Sequence, residues 1–249
     1  MRFGIIFCGF NVEKYVEASL KNFIGRKDFF ISAVSVPFSE YAQQSKFVDN
    51  TTNILIEYKK EGKISELVTE PHFIVESNAR NLALNALSQY NVDYYWMVDG
   101  DEIYTDENID AIVNYVENSS KFWYSVSLKN FVFDKKTHLE EPFCPPRIFP
   151  SYKYGFFDPQ FYWDNDLVYS KIGSTETCNF RSFSNEAIPK EVAWVDHYTW
   201  LNDEIGQRKV KYQIDHFGHC SFKWVEDHLE FVEIYFQKTG EKKPVLVKI

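Results

Sequence analysis

The first half of the chain alternates short, almost unbroken apolar runs with stretches in which apolar residues return every three or four positions. Arg2 to Cys8, Phe29 to Val36 and Tyr94 to Val98 are runs of the first kind. They suit strands buried on both faces, as in a parallel sheet. Between them, Val12, Tyr15, Val16, Leu20 and Phe23 fall at helical spacing, and Asn11 is placed to cap that helix through its side-chain oxygen. Asn53 to Lys60 predicts a second helix, and Pro71 to Val75 a short strand or connection. Ser77 opens a clearer helix, in which Ala79, Leu82, Ala83, Ala86, Leu87 and Tyr90 share one face. Ile109, Ile112, Val113 and Val116 mark another. Strand and helix in alternation predict an α/β fold, with a mostly parallel, Rossmann-like sheet flanked by helices.

The second half changes character. Phe122 to Phe133 predicts strand, in one piece or two. Residues 141 to 190, rich in Pro, Gly and aromatics, read as irregular loops. Val192 to Val195 predicts a last short strand ending at Asp196-His197, and two helices, around 201–215 and 222–238, are expected to close the chain. No repeat or low-complexity linker divides the sequence, so a single domain over 1–249 is expected.

Candidate chemistry concentrates where the strand Tyr94–Val98 ends. Asp99-Gly100-Asp101-Glu102 puts three carboxylates directly after a buried run. Open α/β sheets present ligands outside the carboxyl ends of their strands. Oxygen donors suit hard cations such as Mg²⁺ or Mn²⁺, which in turn hold phosphates. Gly100 is expected to permit a tight backbone turn between the acids. A second D-x-D, Asp164-Asn165-Asp166, lies in the loop-rich segment and reads as an acidic turn. The pattern means little without its context.

Composition trims the options. Aromatics make up 18% of the chain, a surplus that can fill a core or stack sugars and bases. Four widely spaced cysteines with no C-x-x-C argue for reduced thiols in a cytoplasmic protein, not for a zinc site. A formal net charge of -9 disfavours a broad nucleic-acid surface, although Arg208, Lys209 and Lys211 form a local basic group. The apolar run Phe3 to Phe10 is too short to span a bilayer and lacks a clear cleavage site, so neither a transmembrane segment nor a signal peptide is expected.

Ser77-Asn78-Ala79-Arg80-Asn81-Leu82-Ala83-Leu84, followed by Trp96-Met97-Val98-Asp99-Gly100-Asp101-Glu102, resembles the family 2 glycosyltransferases of the GT-A fold. The opening Ile5-Ile6-Phe7-Cys8-Gly9-Phe10-Asn11-Val12-Glu13-Lys14-Tyr15-Val16 is similar to their first strand and its Asn-containing turn into a helix. Pro146-Arg147-Ile148-Phe149 is similar to an Arg-Leu-Phe segment of a bacterial subset. His197-Tyr198-Thr199-Trp200, with Gln207-Arg208-Lys209, is similar to that subset's late His-Tyr and basic helix. The match spans roughly residues 3 to 211.

The resemblance implies a nucleotide-sugar donor, UDP-linked by default, and a hydroxyl acceptor: a glycan or, in a phage-type enzyme, a modified DNA base. It divides the chain into a nucleotide-sugar-binding half (1–120), an acceptor half (121–200) and C-terminal helices (201–249). It implies Mn²⁺ or Mg²⁺ held directly by Asp101, with Asp99 acting through water or on the ribose, and His197 as a late ligand. Phe7, Asn11 and Arg80 would serve the nucleotide site, and Arg208 and Lys211 the diphosphate. The family's paired acid after the second strand is missing from Val34-Ser35-Val36-Pro37-Phe38-Ser39-Glu40, which leaves the base open. An inverting reaction needs a general base, whereas a retaining one needs none of this kind. Asp164 or Asp166, amid Phe161, Tyr162 and Trp163, is preferred to Asp158 and Glu176.

Plainer readings stand beside these. A histidine after a strand is often a hydrogen-bonded structural residue, an arginine at a helix start often pairs with an acid, and a basic run is usually a solvated face. A haloacid-dehalogenase-like phosphatase also places D-x-D after an apolar strand, with Asp99 as nucleophile and Asp101 as acid, but that family usually opens on this strand. A nucleotidyltransferase would carry a Gly-rich basic loop after the first strand, which Cys8-Gly9-Phe10-Asn11-Val12-Glu13-Lys14 lacks. A carbohydrate- or nucleotide-binding module without turnover is the non-enzymatic alternative.

Overall fold

The computed structural model describes residues 1–37, 48–69, 76–121, 123–140, 144–151, 157–161, 167–171, 177–179, 186–201, 206–207, 210–211, 214, 222–225, 228–231 and 245–248. In chain order its elements are β1 (Phe3–Cys8), α1 (Glu13–Leu20), β2 (Phe29–Ser35), α2 (Thr51–Lys60), β3 (Glu66–Thr69), α3 (Glu76–Leu87), β4 (Tyr94–Asp99), β5 (Glu102–Ile103), α4 (Asp106–Asn118), β6 (Tyr124–Ser125), β7 (Ser127–Phe133), β8 (Thr137–Glu140), β9 (Pro146–Pro150), β10 (Phe157–Phe161), β11 (Leu167–Lys171), β12 (Thr177–Asn179), β13 (Glu186–Ala187), β14 (Trp194–Leu201), β15 (Phe222–Val225), β16 (His228–Phe231) and β17 (Val245–Lys248).

A seven-stranded sheet in the order β13-β6-β9-β4-β1-β2-β3 forms the body of this α/β fold. β3, β2, β1 and β4 run parallel. β9 is antiparallel to β4, and β6 is antiparallel to β9. The strands are apolar on both faces because both faces are covered. Phe3, Ile5 and Phe7 of β1, with Trp96 and Val98 of β4, pack against Val16 and Leu20 of α1, Leu55 of α2, and Ile109 and Ile112 of α4. Ile6 and Cys8, with Tyr95 and Met97, face the other way, against Ala79, Ala83 and Leu87 of α3. Each large side chain so buried contributes about 1.5–3 kcal/mol. The two-residue alternation carries past Val98, so Asp99 emerges on the α3 side of the sheet.

A five-stranded sheet in the order β17-β8-β7-β14-β5 stands beside it. β14 is parallel to β7 and antiparallel to β5. β5 starts immediately after Asp101, so it ties this second sheet to the acidic end of β4. No helix among the described residues is long and apolar enough to cross a membrane.

Several elements differ from expectation. Pro71–Val75, expected as a short strand or connection, lies outside the described residues, and a strand at Glu66–Thr69, which the sequence did not suggest, joins the parallel set. As a half-exposed edge strand it carries little hydrophobic signal. The segment 141–190 is not loop throughout: it supplies β9 to the main sheet and β10, β11 and β12 to a three-stranded sheet. The prolines that suggested loop sit at the ends of β9, where a missing N–H is tolerated. The late strand runs on through Asp196-His197 to Leu201. Described residues between 206 and 214 are helical, but 222–238 begins with the antiparallel pair β15 and β16 instead of a helix. Phe222 and Trp224, then Leu229 and Phe231, keep a period of two.

The start of α1 is also built otherwise than expected. Asn11 does not cap it; the N-cap is Val12, which makes no side-chain cap. Asn11 takes a left-handed φ of 56°, tolerated by asparagine, and its Oδ1 accepts the N–H of Asp49. Asp49 and Thr51 in turn accept the N–H groups of Glu13 and Val12, and Glu13 accepts that of Asn50. The N-termini of α1 and α2 therefore cap one another.

Candidate functional site

The acids at the end of β4 are held by two arginines. Arg80, on α3, donates to Asp99 Oδ1 at 3.0 Å and to Met97 Sδ at 3.0 Å. Arg147, on β9, donates to Asp99 Oδ2 at 3.0 Å. Its Nε lies 3.0 Å from Glu102 Oε1, and its Nη2 also donates to that oxygen. β9 lies antiparallel to β4, with Phe149 opposite Tyr95, so Arg147 two residues earlier falls beside the last residues of β4. Glu102 is 0% exposed and Arg147 8%. Burial pushes the Glu102 carboxyl up, Arg147 opposes the rise, and Asp99 and Asp101 add to it by repulsion. Burial alone would lower the Arg147 pKa; Glu102 and Asp99 outweigh it and raise the value instead. An arginine that stays charged at every accessible pH makes this an ionic cluster, two guanidiniums against Asp99 and Glu102.

Gly100 is required for space, not for a left-handed turn. A Cβ there would stand 2.7 Å from Val12 Cγ2 and 3.2 Å from Gly9 Cα. At Gly9 a Cβ would stand 2.8 Å from the Phe7 ring and 2.9 Å from Val12 Cγ2. The turn after β1 and the turn after β4 are thus pressed together. The Gly100 N–H donates to Cys8 O at 2.9 Å, and Ser19 Oγ donates to Gly100 O at 2.9 Å.

Asp101 meets the second sheet. The register of β14 on β5 sets His197 opposite Glu102, and the Tyr198 N–H donates to Asp101 O at 3.1 Å. His197 Nε2 then lies 3.6 Å from Asp101 Oδ2. On its other side His197 pairs in register with Asn130 of β7, and Nδ1 lies 2.5 Å from Asn130 Oδ1. Tyr198 is stacked between Phe131, at 4.8 Å, and Tyr15 of α1, at 5.7 Å, which fixes the strand beside His197. Two ligands of one hard cation, each bound at about 2.1 Å, can stand up to about 4 Å apart. Asp101 and His197 therefore fit a shared Mn²⁺ or Mg²⁺. Among the described residues no group of three or more His, Cys, Asp or Glu could hold a metal alone.

The remaining expected residues scatter. Phe7 is 0% exposed, and its ring lies beneath Gly9 with no surface for a ligand. Asn11 joins the α1 and α2 starts near the carboxyl end of β1. Lys211 is exposed within the helical residues after β14. Asp164, Asp166 and Arg208 lie outside the described residues. Glu102, expected as one of three acids at the end of the strand, is buried against Arg147; Arg147 and Asn130 were not expected in the site. Asn130 had a signal: it sits between Leu128 and Val132, both buried, on the inward positions of β7, where a polar residue needs a partner.

No family model and no curated protein matches the chain. Among solved structures it is similar to S. aureus TarS. The TarS 1-349 complex with UDP matches at 15% identity and a TM-score of 0.49, over 80% of this chain and 60% of that one. The complex with UDP-GlcNAc matches at 15% identity and a TM-score of 0.49, over 82% of this chain and 60% of that one. The structure of TarS itself matches at 18% identity and a TM-score of 0.41, over 61% and 29%. The chain thus spans at most 60% of the length of these proteins.

Proposed function

We propose that this chain transfers a sugar from a nucleotide-sugar donor to an acceptor hydroxyl, on a GT-A-type sheet, with Mn²⁺ or Mg²⁺ bound at the carboxyl end of β4. One observation carries the reading: His197 Nε2 stands 3.6 Å from Asp101 Oδ2, at the end of the strand where such sheets bind ligands. Asp101 and His197 would hold the cation. Two protein donors are few for a closed cage, but Mg²⁺-like ions are typically bound by one or two carboxylates with substrate phosphates and water completing the shell. A cation there supplies charge stabilisation for the departing nucleoside diphosphate.

Asp99 has a different part. With a guanidinium on each oxygen, it offers a direct cation ligand set against two positive charges. Its remaining lone pairs suit a ribose hydroxyl or a water on the cation. Arg80 then supports the site through Asp99. Arg208 and Lys211 are proposed to meet the diphosphate, and Asp164 or Asp166 to act as base if the reaction inverts. The resemblance in motif order favours UDP as the nucleotide and a glycan as the acceptor. The phosphatase reading is disfavoured, because a guanidinium on each oxygen of Asp99 withdraws charge from it and weakens it as a nucleophile.

Thermal stabilisation by UDP and by GDP, each with and without Mn²⁺, tests the proposal on the wild type and Asp101→Ala. A ligand at 100 times its Kd stabilises the native state by about 2.7 kcal/mol. A Mn²⁺-dependent shift with one nucleotide, lost in the variant, is the expected result. No shift with either nucleotide would overturn it.

A further inference from the structure

The polar pair Asn130–His197 lies among buried apolar neighbours. On β7, Leu128 and Val132 flank Asn130; on β14, Val195 precedes His197, and all three apolar neighbours are buried. Asn130 itself is only 3% exposed. A polar side chain placed among such neighbours costs stability unless its hydrogen bond is specific. The contact is specific: Asn130 and His197 are register partners, and Oδ1 meets Nδ1 at 2.5 Å. Asn130 is pinned on its other side by pairing with Leu139 of β8.

We propose that Asn130 is the positioning residue of this site: its amide carbonyl fixes His197 as the Nδ1–H tautomer and aims Nε2 at the space shared with Asp101. The inference rests on the cation reading above. A carbonyl oxygen can only accept, so Nδ1 carries a proton, and in the neutral ring the Nε2 lone pair then faces Asp101. That is the form of imidazole a metal requires, and the partner of the second ring nitrogen is what selects it. A neutral amide does so without adding a fourth acid to a place that already holds Asp99, Asp101 and Glu102. The ring plane is fixed in the same stroke, because the hydrogen bond lies along a strand pair and Tyr198 is clamped next to it.

Two readouts test the assignment in the full chain at pH 8, on the wild type, Asn130→Leu, Asn130→Thr, Asn130→Asp and Asp101→Ala. The first is the nitrogen NMR spectrum of the His197 imidazole without metal. The second is Mn²⁺ affinity, from the free-Mn²⁺ EPR signal, with and without UDP. In wild type Nδ1 is expected to carry the proton. Asn130→Leu is expected to move it toward Nε2 and weaken Mn²⁺ binding by about 10- to 100-fold. Asn130→Asp keeps an acceptor oxygen and is expected to stay within about threefold of wild type, a rescue that mere packing would not give. Asn130→Thr keeps a strand-favouring residue too short to reach Nδ1, and is expected to follow Asn130→Leu should the latter not fold. An unchanged tautomer in the Leu or Thr variant overturns the inference, as does unchanged Mn²⁺ affinity there when Asp101→Ala loses it. If wild type binds no Mn²⁺, or Asp101→Ala binds it equally well, the cation reading fails, and the NMR result alone decides whether Asn130 sets the ring.

Discussion

Arg147 Nη2 reaches Asp99 Oδ2 at 3.0 Å from a strand antiparallel to the one that Asp99 ends. The same guanidinium holds Glu102, which has no exposed surface. The strand next to β4 in the main sheet thus helps order the acidic turn. Asp99 and Glu102 are committed to arginines by the fold itself, while Asp101 is presented to β14.

Arg147→Met is expected to destabilise the protein by about 3–5 kcal/mol, because it strands a buried carboxylate. Adding Glu102→Gln should recover a substantial part of the loss, since the orphaned charge is then gone. Urea unfolding of the two variants and wild type checks this. Equal stability of the single and double variants would mean that packing, not the charge of Glu102, sets the cost.

Gly100→Ala is expected to cost about 1–3 kcal/mol by overpacking, since its Cβ would fall 2.7 Å from Val12 Cγ2. Val12→Ala in the same chain removes the obstructing methyl and should restore part of the stability. Calorimetric melting of the single and double variants measures the coupling. Additive losses would show that the two turns are not pressed together as described.

The parallel half of the sheet was legible because β1, β2 and β4 are buried on both faces, and an almost unbroken apolar run announces that directly. Asp99 and Asp101 were legible for the same reason, as acids at the end of such a run. Arg147 was hidden by its surroundings: the prolines on either side of it spoke for a loop, although they only bound a strand. Asp101 and His197 are far apart in sequence, and only the register of β14 on β5 relates them. Asn130 depends on a second register, β7 on β14, that no local pattern encodes. Local spacing reveals elements; pairing between distant strands assembles the site.

Glu66 gives the fold a defined acid sensitivity. The Tyr90 hydroxyl donates to its Oε1 at 2.7 Å, and Lys59 Nζ lies 3.2 Å from its Oε2. The Tyr90 bond, opposed by burial and aided by Lys59, holds the carboxyl below its ordinary 4.5. A carboxyl lowered on folding contributes stability that is full above the unfolded value and is lost as pH falls through the folded one. Tyr90→Phe should therefore cost about 1 kcal/mol at pH 7. The difference from wild type should shrink once the pH drops below 4.5. Denaturant titrations at several pH values check the sign, and a gap that widens on acidification would contradict it.

Asp99 and Asp101 stand two residues apart, yet their asparagine variants should fail in different ways. Asp99→Asn removes the charge that two buried arginines share, so it is expected to lower stability by about 1.5–3 kcal/mol. It should leave Mn²⁺ affinity in the presence of UDP within about threefold of wild type, a change of under ~1 kcal/mol. Asp101→Asn leaves the arginine cluster intact and should fold with nearly wild-type stability. Its Mn²⁺ affinity should fall about tenfold or more, equivalent to ~1.4 kcal/mol. Urea unfolding and Mn²⁺ titration on both variants separate the two effects. Loss of Mn²⁺ affinity in Asp99→Asn alone would reverse the assignment: the cation would then belong to Asp99, and the arginines would have to release that carboxylate for the site to be loaded.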